Sequence, residues 1–249
     1  MSNKRTSGVP KPGKPGKPYQ PRSNSSVVAY VLGGVALLVV AVVVIGGIVW
    51  NSHRGKQDVD DSVLSENAAM IIGNADAPHT IDIFEDFQCP VCKQFEAQSG
   101  ESITKAIESG QLRARYHMLN FLNSQSASGD YSSRAAGALQ CVAEGENRDV
   151  FLKFHTALYE QQPAEGGSSD HSNADLARIA GENGASDATQ KCVSDGAKVD
   201  QANTNAEQSQ TQLSKATGGQ VGTPTVLSGG EVVPNILNGP QWLETLLAG

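Results

Sequence analysis

Two cysteines separated by two residues, Cys89-Pro90-Val91-Cys92, are the residues of this chain best suited to covalent chemistry. A dithiol at that spacing closes a small disulfide ring, exchanges it with other thiols, or supplies half of a zinc site. Zinc needs a second ligand pair, and the other two cysteines, Cys141 and Cys192, stand alone. An inert structural disulfide is the remaining competitor to exchange. The flanking pattern favours exchange. Thr80 to Phe87 is β-branched and aromatic and reads as a strand. Pro90 then opens a segment with Cys92, Phe95, Ile103, Ala106 and Ile107 on one helical face. Cys89 is therefore expected at a helix N-terminus, where unpaired amides favour a thiolate and lower a cysteine pKa from ~8.5 to about 3.5–7.5. A stabilised thiolate stabilises the reduced pair and so makes the disulfide a stronger oxidant. Pro90 suits the first helical position, having no N–H to leave unpaired. Cys92, one turn further in, is expected to be buried and to act as the resolving thiol.

The elements around this motif form a recognisable order. The helix ends near Gly110, and Leu112 to Leu119 reads as a second strand, giving a βαβ unit with parallel strands. Helices are expected over Tyr131–Glu144, Asp149–Gln161, Asn173–Asn183, Ala185–Gly196 and about Lys198–Thr217, with a loop from Pro163 to Ser169. Pro224–Leu227 and Glu231–Val233, joined at Gly229-Gly230, read as a hairpin, and Pro240–Leu247 as a closing helix. The expected architecture is α/β, a small mixed sheet with a helical insertion at about 128–218.

Charge is unevenly placed along the 249 residues. Six of the 19 Lys and Arg residues lie within 1–22, where there is no acid; the 13 others face 26 Asp and Glu beyond residue 50. An acidic domain of that kind is a poor candidate for nucleic-acid binding, which depends on neutralising phosphates with Lys and Arg. Residues 1–26, rich in Pro and Gly, read as a disordered cytoplasmic tail. Val27–Trp50 is 24 uncharged residues, twenty apolar and four glycine. At 1.5 Å per residue it reaches roughly 36 Å, enough for a ~30 Å hydrocarbon core with some tilt. The excess of cations before it orients the N-terminus to the cytoplasm. Residues 51–66 read as a solvated linker and 67–249 as the folded domain. That domain is expected outside the cytoplasm, where disulfides persist.

The stretch Phe84-Glu85-Asp86-Phe87-Gln88-Cys89-Pro90-Val91-Cys92 resembles the active-site segment of DsbA-like thioredoxin-fold thiol–disulfide oxidoreductases, in particular the membrane-anchored actinobacterial, mycobacterial type. Val221-Gly222-Thr223-Pro224-Thr225 is similar to their cis-proline loop, and Asp149–Gln161 to a helix of their inserted domain. The resemblance implies a thioredoxin-like fold with an inserted helical domain. It also implies a cis bond before Pro224 and a loop facing the dithiol. Thr223 and Pro224 would then bind substrate, the Thr223 backbone pairing with an extended peptide. Two departures matter. Relatives often carry a histidine between the cysteines, where this chain has Val91, so the helix terminus is expected to carry most of the thiolate stabilisation. Relatives also carry a buried acid six residues before the first cysteine, where this chain has Ile83. Asp82, Glu85 and Asp86 are candidate substitutes for proton transfer, each otherwise read as a surface or strand-end carboxylate.

Of the three pairings of four cysteines, 89–92 with 141–192 is the one that keeps the dithiol intact. A Cys141–Cys192 structural disulfide would contribute ~4 kcal/mol on the chain-entropy model; two buried free thiols, or a second redox centre, are the alternatives. The histidines form no metal set: His117 and His155 read as packing or surface residues and His53 and His79 as exposed. No metal or bound cofactor is implied. The expected function is a membrane-tethered oxidase that forms disulfides in exported, cysteine-containing polypeptides, with Cys89 and Cys92 catalytic. The resemblance implies reoxidation by a vitamin K epoxide reductase homologue. A reductase, an isomerase or a thiol donor for cytochrome maturation uses the same motif, and a non-catalytic anchored peptide-binding protein is a rival of another class.

Overall fold

The computed structural model describes residues 58–249; the expectations for the basic tail, the apolar run and residues 51–57 lie outside the described residues. Among the described residues, no helix is long and apolar enough to cross a membrane. The elements run α1 (Asp61–Asn67), β1 (Met70–Ile72), β2 (His79–Glu85), α2 (Pro90–Glu108), β3 (Leu112–Met118), α3 (Tyr131–Gly145), α4 (Arg148–Glu160), α5 (Asn173–Glu182), α6 (Asp187–Ser194), α7 (Val199–Ala216), β4 (Thr225–Ser228), β5 (Glu231–Val232) and α8 (Gln241–Leu247). The sheet order is β1-β3-β2-β4-β5. β2 and β3 are parallel, as expected of the βαβ unit, and the other pairs are antiparallel.

Alternation along the strands divides the core in two. Ile81 and Ile83 on β2, Ala114 and Tyr116 on β3, and Val226 on β4 enter the larger cluster with Phe95, Ile103 and the helices of the insertion. Phe84 and Leu227, on the opposite face, pack with Leu64 of α1 and Leu213 of α7. Successive strand side chains point to opposite faces, so this partition follows from the strand register alone. The second face also holds a buried polar network. Asp82 takes two hydrogen bonds from Arg115 at 2.7 and 2.6 Å, and its Oδ1 lies 2.8 Å from His117 Nε2. His117 Nδ1 lies 3.0 Å from Ser209 Oγ of α7.

Two features differ from the sequence reading. Residues 61–66, expected within the linker, belong to α1, capped by the Asp60 carboxylate and tied down by Arg115 to Asp61 at 2.8 Å. The strand expected to reach Phe87 stops at Glu85, because the carbonyl of Asp86 accepts the N–H of Cys89 at 2.9 Å and its carboxylate accepts those of Gln88 and Leu122. That turn hands the chain to α2. The helix is fixed from behind by α8, where Trp242 Nε1 donates to Ser99 Oγ at 3.0 Å and the indole stacks on Phe95.

Candidate active site

Cys89 is the N-cap residue of α2, with Pro90 in the first helical turn. Cys92 is fully buried, while Cys89 retains 6% exposure; both thiols are free. Cys89 Sγ lies 3.5 Å from the carbonyl oxygen of Thr223. The Thr223–Pro224 bond is cis. The loop carrying it is held by Thr225 Oγ1, which donates to Gly222 O at 2.7 Å. Cys89, Cys92, Thr223 and Pro224 are thus gathered at one place, from two segments far apart in sequence.

Electrostatics separate the two sulfurs. A hydrogen bond from the Cys92 thiol does most to hold the Cys89 pKa below its ordinary value, against the opposing effect of burial. The Thr223 side chain and the backbone N–H groups of Cys92 and Val91 add to it. This corrects the expectation that the helix terminus carries most of the stabilisation: its amides contribute, but the neighbouring thiol contributes more. Cys92 moves the other way, well above the ordinary thiol range, through burial, its hydrogen bond to Cys89 and the charges of Cys89 and Glu85. One sulfur is prepared as an anion and its partner as a proton donor to it.

Beneath the pair lies a set of groups that sequence reading missed or misjudged. Asp82, Glu85 and Asp86, read as surface or strand-end carboxylates, are all buried, at 1% exposure or less. Burial follows because the helical insertion covers the C-terminal end of β2. Asp82 is spent on Arg115 and His117. Asp86 joins the turn to the insertion, accepting from Ser132 Oγ at 2.6 Å, and burial raises its pKa to about 6. Glu85 is the acid placed by the cysteines: burial first, then the charge of Cys89, raise its pKa well above the carboxylate range. His155 on α4, read as packing or surface, is buried among Phe87, Tyr116, Phe151 and Tyr159. Its Nε2 lies 3.0 Å from Glu85 Oε2 and its Nδ1 3.6 Å from Glu96 Oε2. Burial keeps the imidazole pKa below its usual value and pushes Glu96 up to about 8. Glu96 had a sequence signal, standing four residues after Cys92 on the same helix face.

Glu85, Glu96 and His155 bring three ligand-type atoms within 4.8 Å of one another, a grouping the sequence reading did not anticipate. Each ring nitrogen faces a different carboxyl group, an arrangement suited to sharing protons between the acids through the ring. Elsewhere, Cys141 and Cys192 are bonded, joining α3 to α6 within the insertion.

A five-stranded mixed sheet, a dithiol at the start of the helix after its central strand, and a cis-proline loop against the first sulfur define the thioredoxin class of proteins. The thioredoxin family profile matches residues 65–247. The chain is similar to MdbA, a thiol–disulfide oxidoreductase of Corynebacterium matruchotii (28% identity, TM-score 0.62, covering 69% of this chain and 85% of that one). It is also similar to DsbA of Mycobacterium tuberculosis (31% identity, TM-score 0.55, covering 66% and 83%). Among curated proteins, it is 37% identical over 183 residues to the serine/threonine-protein kinase PknE of M. tuberculosis. That match covers 73% of this chain, which spans about a third of the kinase's length (32%). The chain belongs to the thioredoxin family and, within it, to the DsbA-like thiol–disulfide oxidoreductases of actinobacterial type.

Proposed function

We propose that this chain is a membrane-tethered thiol–disulfide oxidoreductase that introduces disulfides into exported proteins through Cys89 and Cys92. The observation that carries the reading is the placement of the two sulfurs, Cys89 at the N-cap of α2 against the cis Thr223–Pro224 loop and Cys92 fully buried one turn further in. A substrate thiolate attacks Cys89 Sγ of the oxidised pair, forming a mixed disulfide and releasing Cys92 as a thiolate. The Glu85 carboxyl, neutral through burial, supplies the proton Cys92 takes up. A second substrate thiolate then attacks the substrate sulfur of the mixed disulfide, and Cys89 leaves as its stabilised thiolate. Two electrons pass from substrate to protein, and a membrane oxidase of the vitamin K epoxide reductase kind takes them away. Extended substrate lies along the Thr223–Pro224 loop, its backbone pairing with that of Thr223.

The direction rests on the leaving group: a Cys89 thiolate of low basicity leaves readily, so the protein loses its disulfide to clients more easily than it gains one. The location rests on the apolar run 27–50 with its basic flank, and is supported by the Cys141–Cys192 disulfide, since such bonds persist in oxidising compartments. Trapping tests the whole reading. With Cys92→Ala, clients should accumulate as mixed disulfides on Cys89 and should be exported proteins. Absence of adducts in cells, with the variant folded and membrane-bound, overturns it.

A further inference from the structure

The turn that follows α4 closes over the active-site segment. Lys93 Nζ donates to Glu160 O at 3.1 Å, and Gln88 Nε2 to Pro163 O at 3.2 Å. Between these two ties, Gln162 Nε2 donates to Phe87 O and Cys89 O, each at 2.9 Å. An amide has two N–H bonds, one for each carbonyl. The Cys89 carbonyl otherwise accepts from Lys93 N at 3.3 Å, a long bond that opens α2. Gln162 is its shorter partner.

We propose that Gln162 is a positioning residue for the redox pair, setting the acidity of Cys89 from the far side of its peptide group. The two carbonyl oxygens it binds lie on the residue that bears the reactive sulfur and on the residue two before it. Left bare, each presents partial negative charge to a thiolate. Bound to one amide, they are partly neutralised, and the Phe87–Gln88 and Cys89–Pro90 peptide planes are fixed. With those planes fixed, the chain enters α2 at an angle that aims the N–H groups of Val91 and Cys92 at the sulfur. No side chain between the cysteines offers a donor here, so the peptide groups join the Cys92 thiol and the Thr223 side chain in tuning the site.

The turn does not depend on Gln162 for its place. Besides the two ties above, His171 Nε2 lies 2.7 Å from Gln161 O, and Arg134 binds Asp170 at 2.7 Å and the carbonyl of His171. Removing the Gln162 amide therefore removes two hydrogen bonds from the active-site carbonyls while leaving the turn anchored.

The inference rests on Cys89–Cys92 being the redox pair, yet its test needs no client. In the full-length protein, Gln162→Ala should raise the Cys89 pKa by about one unit, a tenfold fall in the thiolate-to-thiol ratio. Carried into the exchange equilibrium, that tenfold is ~30 mV toward a weaker oxidant. Gln162→Glu, which sets a carboxylate against the same two carbonyls, should shift both readings further in that direction. A merely structural role predicts no such order between the two variants. If Gln162→Ala does not fold, Gln162→Met keeps the side-chain length and takes its place. Unchanged pKa and potential in the folded variants, or equal shifts in both, overturn the assignment. Failure of the proposed oxidase role would instead show in the trapping experiment while these shifts persist.

Discussion

Cys89 and Thr223 meet across 134 residues of sequence, the sulfur 3.5 Å from a carbonyl oxygen that adjoins a cis peptide bond. The Thr223 hydroxyl is buried and has no hydrogen-bond partner. It is a donor that gains one when Cys89 ionises, which is the sense in which it lowers that pKa.

Thr223→Val keeps the shape and the backbone carbonyl and removes the donor. Its Cys89 pKa should rise by about half a unit or more. The oxidised form, relieved of a buried unpaired hydroxyl, should gain ~1 kcal/mol in chemical denaturation. Titration of the thiolate by its ultraviolet absorbance, with denaturation of the oxidised protein, checks both.

Glu85 is a buried acid whose charge acts on Cys92, so in the proposed mechanism Glu85→Gln should slow the steps in which Cys92 gains or loses a proton. General acid–base roles are worth about 10²-fold or more. Single-turnover exchange with a peptide dithiol should show that loss, while alkylation of Cys89 stays near the wild-type rate. Equal slowing of both would assign Glu85 a structural part only.

Glu96 couples the site to pH. Its folded pKa of about 8 exceeds the unfolded carboxylate value near 4.5, so between those limits the folded state holds a proton the unfolded chain has lost. Stability therefore falls as pH rises through that window and levels off above it. Glu96→Gln removes the titrating group. It should be more stable than wild type by about 1–3 kcal/mol at pH 8 and little different near pH 5. Thermal melts across that range decide it.

The remaining disulfide is a matter of stability. Replacing Cys141 and Cys192 together by alanine should cost ~4 kcal/mol on the chain-entropy model, about 10 °C in Tm for a domain of this size. The Cys89–Cys92 reduction potential should not change. A changed potential would join the two pairs in one redox system.

The βαβ unit, the helical insertion and the dithiol were legible because each follows local rules: β-branched alternation, a proline opening a helix, apolar residues at helical spacing. Helix α1 was not, since Asp-Ser-Val-Leu-Ser-Glu-Asn carries a single strong apolar anchor, Leu64, and owes its place to Arg115 and α7. Strand β1 has three residues and no pattern to read. Glu85 was misjudged and Glu96 missed for a related reason. Whether Glu85 and Glu96 face water depends on where α4 lies, and across the separation of 70 positions between Glu85 and His155 the sequence holds no local sign that the two will touch. Gln162 escaped for the same cause, its partners being main-chain atoms on a distant turn.

The proposed exchange requires Cys89 to be an anion at neutral pH. The pH dependence of its alkylation in the reduced, full-length protein tests this most directly, because the Cys92 thiol is buried and raised out of range. A single inflection is expected well below the ~8.5 of a free cysteine, within about 3.5–7.5. An inflection at or above ~8.5 would contradict it.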